Sequence, residues 1–396
     1  RNVAIGRDAL ATQNFTTATN SYNVAVGDTV GAELTTGAFN TLIGGLAGDA
    51  LTDSDRNVAI GYLSQTSCVL GQLNTSVGYG TLESMNPATA ANMNNSAFGY
   101  LAGNAVTVGI QNTLVGGLAG DVLTDADDNV AVGYGALSAD TKGSRSIAIG
   151  KEALFTQNFT TATSTYNVAV GWQAGHDIST GINNTLIGGL AGDKITTGSW
   201  NTLIGQNVGT QALLLTSGGS NTLVGSNMDT TTADATFAMG LGYALDCAEG
   251  YTTLGQGATD IRAAHGNITW ATVSDQRYKK DIVDSTAGLN FINALQPRTF
   301  KYKTLGELPE TFRAYEADST EVFKNSETNH GFIAQEVKAA IDADSGIKDG
   351  FRLWDDRDDG SQEVAEAALI PILVKAIQEL STALDAALAR IATLEG

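Results

Sequence analysis

The stretch of residues 273–282, VSDQRYKKDI, places a serine five positions before a lysine. A serine hydroxyl is a weak nucleophile until a base takes its proton. A lysine amine is such a base near neutral pH only when burial or nearby cations lower its pKa. Arg277 and Lys280 lie within a few residues of Lys279. A serine and a lysine at this spacing, where the composition of the chain changes, suggest a cleavage point.

The same residues also have a structural interpretation. In it, Ser274 is the N-cap of a polar helix, and Asp275 favours the first turn by its negative charge. Taken alone, the heptapeptide leaves both interpretations open, and the rest of the chain must decide between them.

The composition of the chain changes at this stretch. Residues 1–273 hold 8 basic and 20 acidic residues, whereas residues 274–396 hold 14 and 22, so charged residues become nearly three times denser. The change predicts a domain boundary. We place a repeat domain at 1–260, a connector at 261–273 and a second domain at 274–396.

Composition also excludes several kinds of partner. The formal net charge of −20 argues against nucleic acid, because phosphate binding needs clustered lysine and arginine. Cys68 and Cys247 are too few for a disulfide framework. With no run of 18 apolar residues, we expect no membrane insertion, and no motif predicts a metal or cofactor. The acidic run at 355–360 lacks a calcium ligand at Arg357. Because the chain starts at Arg1, we expect a missing N-terminal part.

The first 260 residues repeat the segment Asn-x-x-(Ile/Val/Phe)-Gly, at spacings of 17, 17, 17 and 21 residues that sum to a super-repeat of 72. GGLAGD returns at the same interval, from Gly44, Gly116 and Gly188. This pattern predicts a β-solenoid, with one strand of about five residues per 17-residue rung and alternating apolar positions such as Val3 and Ile5. The glycine makes the turn, and the asparagines form a hydrogen-bonded ladder along the stack.

Two sets of side chains in the repeats are candidates for function. Asp49, Asp121 and Asp193 recur with the repeat, which favours turn chemistry over a catalytic carboxylate pair. Aromatic residues directly after the rung glycine either pack inward or against a neighbouring chain, which we favour, or form a platform for sugar rings. These residues are Tyr62, Tyr79, Tyr100, Tyr134 and Trp172.

The second domain does not repeat. We predict a helix at 286–295 with Ser285 as its cap, a strand at 298–303, and a helix that follows HGFIAQEV at 330–337. A terminal helix at about 362–394 carries an apolar seam with alternating spacings of four and three, which requires partner helices. The seam consists of Leu373, Ile377, Leu380, Leu384, Ala387, Ile391 and Leu394.

Three stretches of this domain resemble the self-cleaving intramolecular chaperone at the C-terminus of bacteriophage tail spikes and fibres, the endosialidase-type family. Its Ser-Asp-x-Arg-x-Lys pattern is matched by Ser274, Asp275, Arg277 and Lys279. The GFIAQE stretch and LIPILVKAIQEL at 369–380 follow in the family's order. His330 lies one place nearer the glycine than the family's histidine often does, and we interpret it as structural, with a supporting role as the alternative.

The resemblance implies an enzyme that acts once on itself. Ser274 would attack the bond between Val273 and Ser274, with Lys279 as base and Asp275, Arg277, Lys280 and His330 as supporting residues. It further implies a homotrimeric tail fibre or spike of a virion, assembled in the host cytoplasm without a cofactor. Its partners would be other tail proteins and a glycan or protein receptor on the host surface.

Other functions stay open on the sequence. The NVAIG-type repeats also resemble the head repeats of trimeric bacterial adhesins, which bind without cleaving. A β-solenoid spike that degrades glycans would need carboxylates that do not follow the repeat. A membrane-tethered, self-cleaving transcription factor is disfavoured by the acidic repeats.

Overall fold

A computed structural model describes residues 1–210, 215–266, 271–272, 274–344, 346–347, 353–356 and 360–395. The chain divides into two units, Arg1–Ser274 and Asp275–Gly396. The first is a β-solenoid, and the second is a small α+β unit with a long terminal helix.

Each repeat of the first unit contributes one strand to a parallel sheet, and each strand pairs with the strand of the next repeat. Val58 pairs with Thr75 at an offset of 17 residues, and Val3 pairs with Val24 at an offset of 21. The predicted solenoid of 17-residue rungs is therefore confirmed. The parallel strands are Val3–Ile5, Val24–Val26, Thr41–Ile43, Val58–Ile60, Thr75–Val77, Ser96–Phe98, Thr113–Val115, Val130–Val132, Ile147–Ile149, Val168–Val170, Thr185–Ile187, Thr202–Ile204, Thr222–Ser226, Met239–Tyr243 and Tyr251–Gln256.

Shorter strands complete this unit. Three parallel pairs lie outside the main sheet: Gly71–Gln72 with Ala91–Asn92, Gly143–Ser144 with Thr163–Ser164, and Asp229–Thr230 with Asp246–Cys247. After the 3-10 helix Gly257–Thr259, the strands Ile261–Ala264 and Ala271–Thr272 join the end of the main sheet in antiparallel orientation.

Most rung strands are three residues long, shorter than the predicted five, and their central side chain forms the core. Leu42 and Ala131 are completely buried, whereas Ile43, the third residue of its strand, remains exposed. In the first strand, Val3 and Ile5 are likewise exposed. The prediction that such flanking positions form the buried apolar face was wrong, because the asparagine before the strand occupies the interior and period-two alternation then turns the flanks outward.

The buried asparagines form the predicted ladder. Asn112 Nδ2 donates to Ala126 O at 2.8 Å and to Asn95 Oδ1 at 3.2 Å, and Asn112 Oδ1 accepts from the Asn129 amide at 3.0 Å. Each side chain thus satisfies backbone groups of neighbouring turns. Since an unpaired buried polar group costs about 1–3 kcal/mol, the ladder also fixes the register between turns.

The ladder changes at one turn, where Ser146 replaces asparagine. There Gln157 bridges the gap: its Nε2 donates to Ser146 Oγ at 2.9 Å, and its Oε1 accepts from Asn167 Nδ2 at 2.8 Å. The buried Asp140 accepts from Gln157 Nε2 as well. Burial raises the pKa of Asp140, and its hydrogen bonds oppose that rise.

Glycine ends each strand because the backbones of adjacent turns touch there. Gly133 has φ +135°, and a Cβ at this position would lie 2.5 Å from the carbonyl oxygen of Gly150. No side chain fits such a contact, and this φ is rare for residues other than glycine.

Within the residues that the structure describes, the second unit has three α-helices: α1 at Leu289–Ala294, α2 at Ala334–Ala343 and α3 at Ile370–Glu395. Its strands form two antiparallel pairs, Arg298–Phe300 with Asn329–Gly331 and Trp354–Asp356 with Gln362–Val364. Three 3-10 helices lie at Gln276–Tyr278, Leu305–Glu307 and Glu366–Leu369. Phe291, Val337, Leu353 and Ile372 belong to its core.

Two predicted helices begin later than expected. Gly288 is the N-cap of α1, and the Leu289 amide donates to the Glu379 carboxylate of α3 at 2.9 Å, while the Ser285 hydroxyl bonds the Ala287 carbonyl. Helix α3 starts at Ile370 instead of 362, because residues 362–364 pair as a strand, and Pro371 fits the first helical turn. The predicted strand at 298–303 ends at Phe300.

Helix α3 exposes most of its apolar side chains. Its buried residues are Ile372 and Ala376, whereas Leu373, Leu380 and Leu384 are exposed. By length and composition the segment Glu366–Glu395 could cross a membrane, which the expectation of no membrane insertion did not anticipate. Lys375, Glu379, Asp385 and Arg390 place charged side chains along α3, and such side chains are rare within membrane-spanning helices.

We predict that Gly133→Ala destabilises the solenoid by at least about 2 kcal/mol, because the Cβ meets the Gly150 carbonyl and φ is unfavourable. Gly189→Ala is the matched control, since nothing lies within 4 Å of its Cβ position. Urea unfolding of both variants measures the difference, and equal midpoints would contradict the glycine contact.

Candidate functional site at residues 274–280

A short 3-10 turn separates the serine and the lysine of the candidate pair. Asp275 is the N-cap of Gln276–Tyr278, and its Oδ1 accepts from the Arg277 amide at 2.8 Å. The turn closes when the Lys279 amide donates to Gln276 O at 3.0 Å. The structure therefore gives the capping role to Asp275 instead of Ser274.

Asp275 and Arg277 form an ion pair two residues apart. Arg277 Nη2 lies 2.7 Å from Asp275 Oδ2, and its Nε lies 3.0 Å from Oδ1. The hydrogen bond to Arg277 holds the pKa of the Asp275 carboxyl below its ordinary value, and the same bond raises the pKa of Arg277. Because the guanidinium is bound to Asp275, Arg277 serves to hold the turn in shape.

The other site residues are exposed within a single chain. Ser274, Lys279 and Lys280 all face solvent. The burial that a lysine base requires is therefore not supplied by this chain alone. Val273, the residue before the candidate bond, lies outside the described residues.

His330 lies in the strand Asn329–Gly331, opposite Thr299. Its side chain is exposed. In the following stretch, Glu336 of α2 makes a two-bonded ion pair with Arg298, at 2.7 and 2.9 Å. The GFIAQE stretch thus links a hairpin to a helix within the second unit.

The aromatic residues after the rung glycine lie on the surface of the solenoid. Tyr79 stacks against Tyr62 and Tyr100, with ring centroids 5.7 and 5.5 Å apart. Tyr134 lies beside Gly117, and Trp172 is exposed. In the tyrosine stack the ring faces are turned largely toward each other, so edges and hydroxyls remain for a partner.

A second aromatic row was missed by the sequence analysis. It occupies the position before the rung asparagine, where the backbone is left-handed in every aligned turn from Tyr22 onward up to Phe237. Alignment of the rungs on their asparagines would have shown it as a column. Its aromatic members are Tyr22, Phe39, Tyr166, Trp200 and Phe237.

The repeating acids mainly join neighbouring turns. Ser138 Oγ donates to Asp121 Oδ1 at 2.7 Å, and Thr66 Oγ1 donates to Asp49 Oδ1, each across 17 residues. Burial raises the pKa of Asp121 despite this bond. Asp193 is 3.4 Å from Lys194 Nζ. Across the described parts of the chain, no group of three or more His, Cys, Asp or Glu could hold a metal ion.

The comparisons with known proteins concern the second unit. Residues 274–345 match the model of a family described as chaperone of endosialidase. Comparison with curated proteins and with solved structures finds no match for the chain. The family match begins at Ser274 and extends past α2. Residues 274–345, which follow the β-solenoid, are thus similar to the chaperone-of-endosialidase family.

Proposed function

We propose that the chain is the shaft of a bacteriophage tail fibre or tail spike whose C-terminal domain assembles three copies and then releases itself. The proposal rests on one observation: the start of the family match and the end of the solenoid unit fall at the same residue. The family match begins at Ser274, the residue at which the solenoid unit ends. A self-cleaving chaperone domain is thus joined to a repetitive shaft at the candidate nucleophile.

The proposed reaction breaks the peptide bond between Val273 and Ser274. Ser274 Oγ attacks the preceding carbonyl carbon while Lys279 accepts the hydroxyl proton. The amide nitrogen leaves with a proton, which converts the peptide bond into an ester. Water then hydrolyses the ester, giving a carboxylate on Val273 and a free amine on Ser274. The Asp275–Arg277 ion pair holds the turn between the two reacting residues.

In this proposal, assembly controls the timing of cleavage. Lys279 faces solvent in the single chain, and a lysine acts as a base where burial or nearby cations favour its neutral form. In this proposal, neighbouring chains supply that burial. Cleavage would then follow assembly, and a chain that has not assembled would keep its chaperone.

The exposed apolar seam of α3 is the first surface that we assign to assembly. Its residues recur at alternating spacings of four and three along α3. Only 17% of the most apolar stretch of this helix is buried within the described chain. Such a seam is stable only against partner helices.

The outer face of the solenoid sheet is the second assembly surface. In the register of the main sheet, the residue aligned with Ile187 points outward and is aliphatic in every parallel strand but one, where it is Phe98. In Tyr251–Gln256 this residue is the fourth, Leu254. No parallel strand of the main sheet contains a charged residue. At a strand spacing of about 4.8 Å this stripe is roughly 70 Å long, and an exposed apolar stripe of that size marks an interaction site. A second copy, with the same rung spacing, matches it along its whole length.

A trimeric solenoid has a physical need for such a domain. Its contacts between chains join residues that are far apart in sequence, so they form slowly. Until they form, the unpaired strand edges are prone to aggregation. Helices that associate first raise the local concentration of the three shafts and set their register. Cleavage afterwards leaves the shaft kinetically trapped.

We expect Ser274→Ala and Lys279→Arg to abolish cleavage without preventing assembly. Alanine removes the nucleophile, and arginine keeps the charge but cannot lose its proton. On a denaturing gel the unaltered chain should give fragments of about 28 and 13 kDa, and the variants one band of 40.9 kDa. Ser285→Ala is the control that should still cleave. Splitting of either variant at the junction would remove Ser274 and Lys279 from the mechanism.

Leu384→Lys should prevent assembly, and with it cleavage, because it places a charge in the α3 seam. Ala389→Lys adds the same charge outside the predicted seam and should change neither. Sedimentation gives the mass of the particles, and the denaturing gel gives the extent of cleavage. Efficient cleavage of a Leu384→Lys monomer would refute the control of cleavage by assembly.

Ile187→Glu should weaken the assembled shaft by about 1–3 kcal/mol for each carboxylate that it places at the sheet face. Ile187 is an exposed third-position residue, and Thr197→Glu in the same turn is the exposed control. The temperature at which trimers dissociate measures the effect. If the two variants dissociate alike, the sheet face is not the contact between chains.

A further inference from the structure

The aromatic row before the rung asparagines contains residues that are poorly suited to their backbone. Trp200 has φ +65° and Phe237 has φ +55°. Bulky side chains are rare at such left-handed corners, where Asn and Asp are favoured. The same row has Asn94, Asp128 and Asn183 at other turns. A large ring at this position therefore lowers stability unless it does something that asparagine cannot do.

Most rings of the row have partners within the chain. Tyr22 and Phe39 stack at 5.8 Å, with Arg1 over Tyr22 and Arg56 over Phe39. Tyr166 lies under Arg145 at 5.8 Å. The contacts of these rings with each other and with arginine offset the free-energy cost of the left-handed backbone.

Trp200 and Phe237 differ from the other rings. Their side chains are 64% and 62% exposed, the highest values among the solenoid's large apolar residues. Among the described residues, neither ring has a stacking or cation contact. Their faces are available to a ligand.

The neighbours of these two rings within the row are polar and uncharged, whereas the exposed Met239 follows Phe237 and the Glu249 carboxylate accepts from Thr236 Oγ1 at 2.9 Å. The strand register places Ser220 in the row between them and Asn183 one turn before Trp200. The neighbouring outward column, the first residues of the same strands, contributes Thr202 and Thr222. Across these turns neither column has a charged residue.

We propose that Trp200 and Phe237 bind a neutral hexose oligosaccharide that lies along the solenoid axis. The rings are two turns apart, roughly 10 Å, which is the length of two pyranose rings in an extended chain. Each aromatic face stacks on the C–H face of one sugar. The Ser220 hydroxyl, between the two rings, and the Asn183 side-chain amide, one turn before Trp200, each form hydrogen bonds with sugar hydroxyls. Both groups can donate and accept.

This assignment names the receptor chemistry of the proposed fibre and rests on that function, but its test is independent of cleavage. A neutral ligand fits because the strip lacks the basic side chains that an acidic glycan would need. The column of third strand residues is the surface assigned to other copies of the chain, and the column of first strand residues separates it from the row.

The sharpest test replaces each ring with asparagine, which suits the left-handed backbone. Trp200→Asn and Phe237→Asn should each weaken binding at least tenfold and leave the thermal midpoint unchanged or raised. Tyr166→Asn is the matched control from the same row, whose ring is covered by Arg145, and it should bind normally. Hexasaccharides of glucose, galactose and mannose are the probes, with binding measured by calorimetry and saturation-transfer NMR on the full chain.

Two results would overturn the proposal. The first is that none of the three hexasaccharides binds the unaltered chain. The second is that Trp200→Asn lowers the thermal midpoint or dissociates the assembly, which would make the ring a packing residue between chains. Ser274→Ala should bind sugar like the unaltered chain, so a failure of the proposed cleavage leaves this result intact.

Discussion

Direct contact between the backbones of successive turns is the constraint on which the solenoid depends. At the end of each strand one glycine lies against the next, as Gly133 does against Gly150, with no room for a Cβ. On the inside, each buried asparagine bonds the turns before and after its own. Where both contacts recur, the length of a turn varies only by additions away from them, which gives 17, 20 or 21 residues. The last turn, from Met239 to Thr252, lies beyond the asparagine ladder and has 13 residues.

The same constraint produces the apolar outer face. Because the asparagine and the central strand residue both point inward, the residues between and beside them must point outward. An outward face of Val, Ile and Thr would be a liability for a monomer in water. In the proposed trimer it is the contact between shafts. In this proposal, the repeat that stacks the turns of one chain also forms the surface that contacts the other two chains. The C-terminal domain then brings the three shafts together in register.

The periodic parts of the fold could be predicted from the sequence. The prediction failed where an element depends on a contact between residues that are far apart in sequence and do not follow the repeat. The rung spacing and the asparagine ladder follow from short-range repetition. The late start of α3 depends on pairing between Trp354 and Val364, and the cap of α1 depends on Glu379, 90 residues away. The residue types of the left-handed row vary, so the row emerges only when the rungs are aligned on their asparagines. In the proposed assembly the environment of Lys279 would depend on neighbouring chains, which the sequence pattern of one chain does not describe.

The end of the solenoid suits a release point. Its last parallel strand is Tyr251–Gln256, and an open strand there would be an edge for aggregation. Ile261–Ala264 covers that edge in antiparallel orientation, and Arg262 lies over the Tyr251 ring at 5.0 Å. Ala271–Thr272 then pairs with Ile261–Ala264. A cut between 273 and 274 falls immediately after this cap, so loss of the chaperone would leave the ladder of the last parallel strand paired.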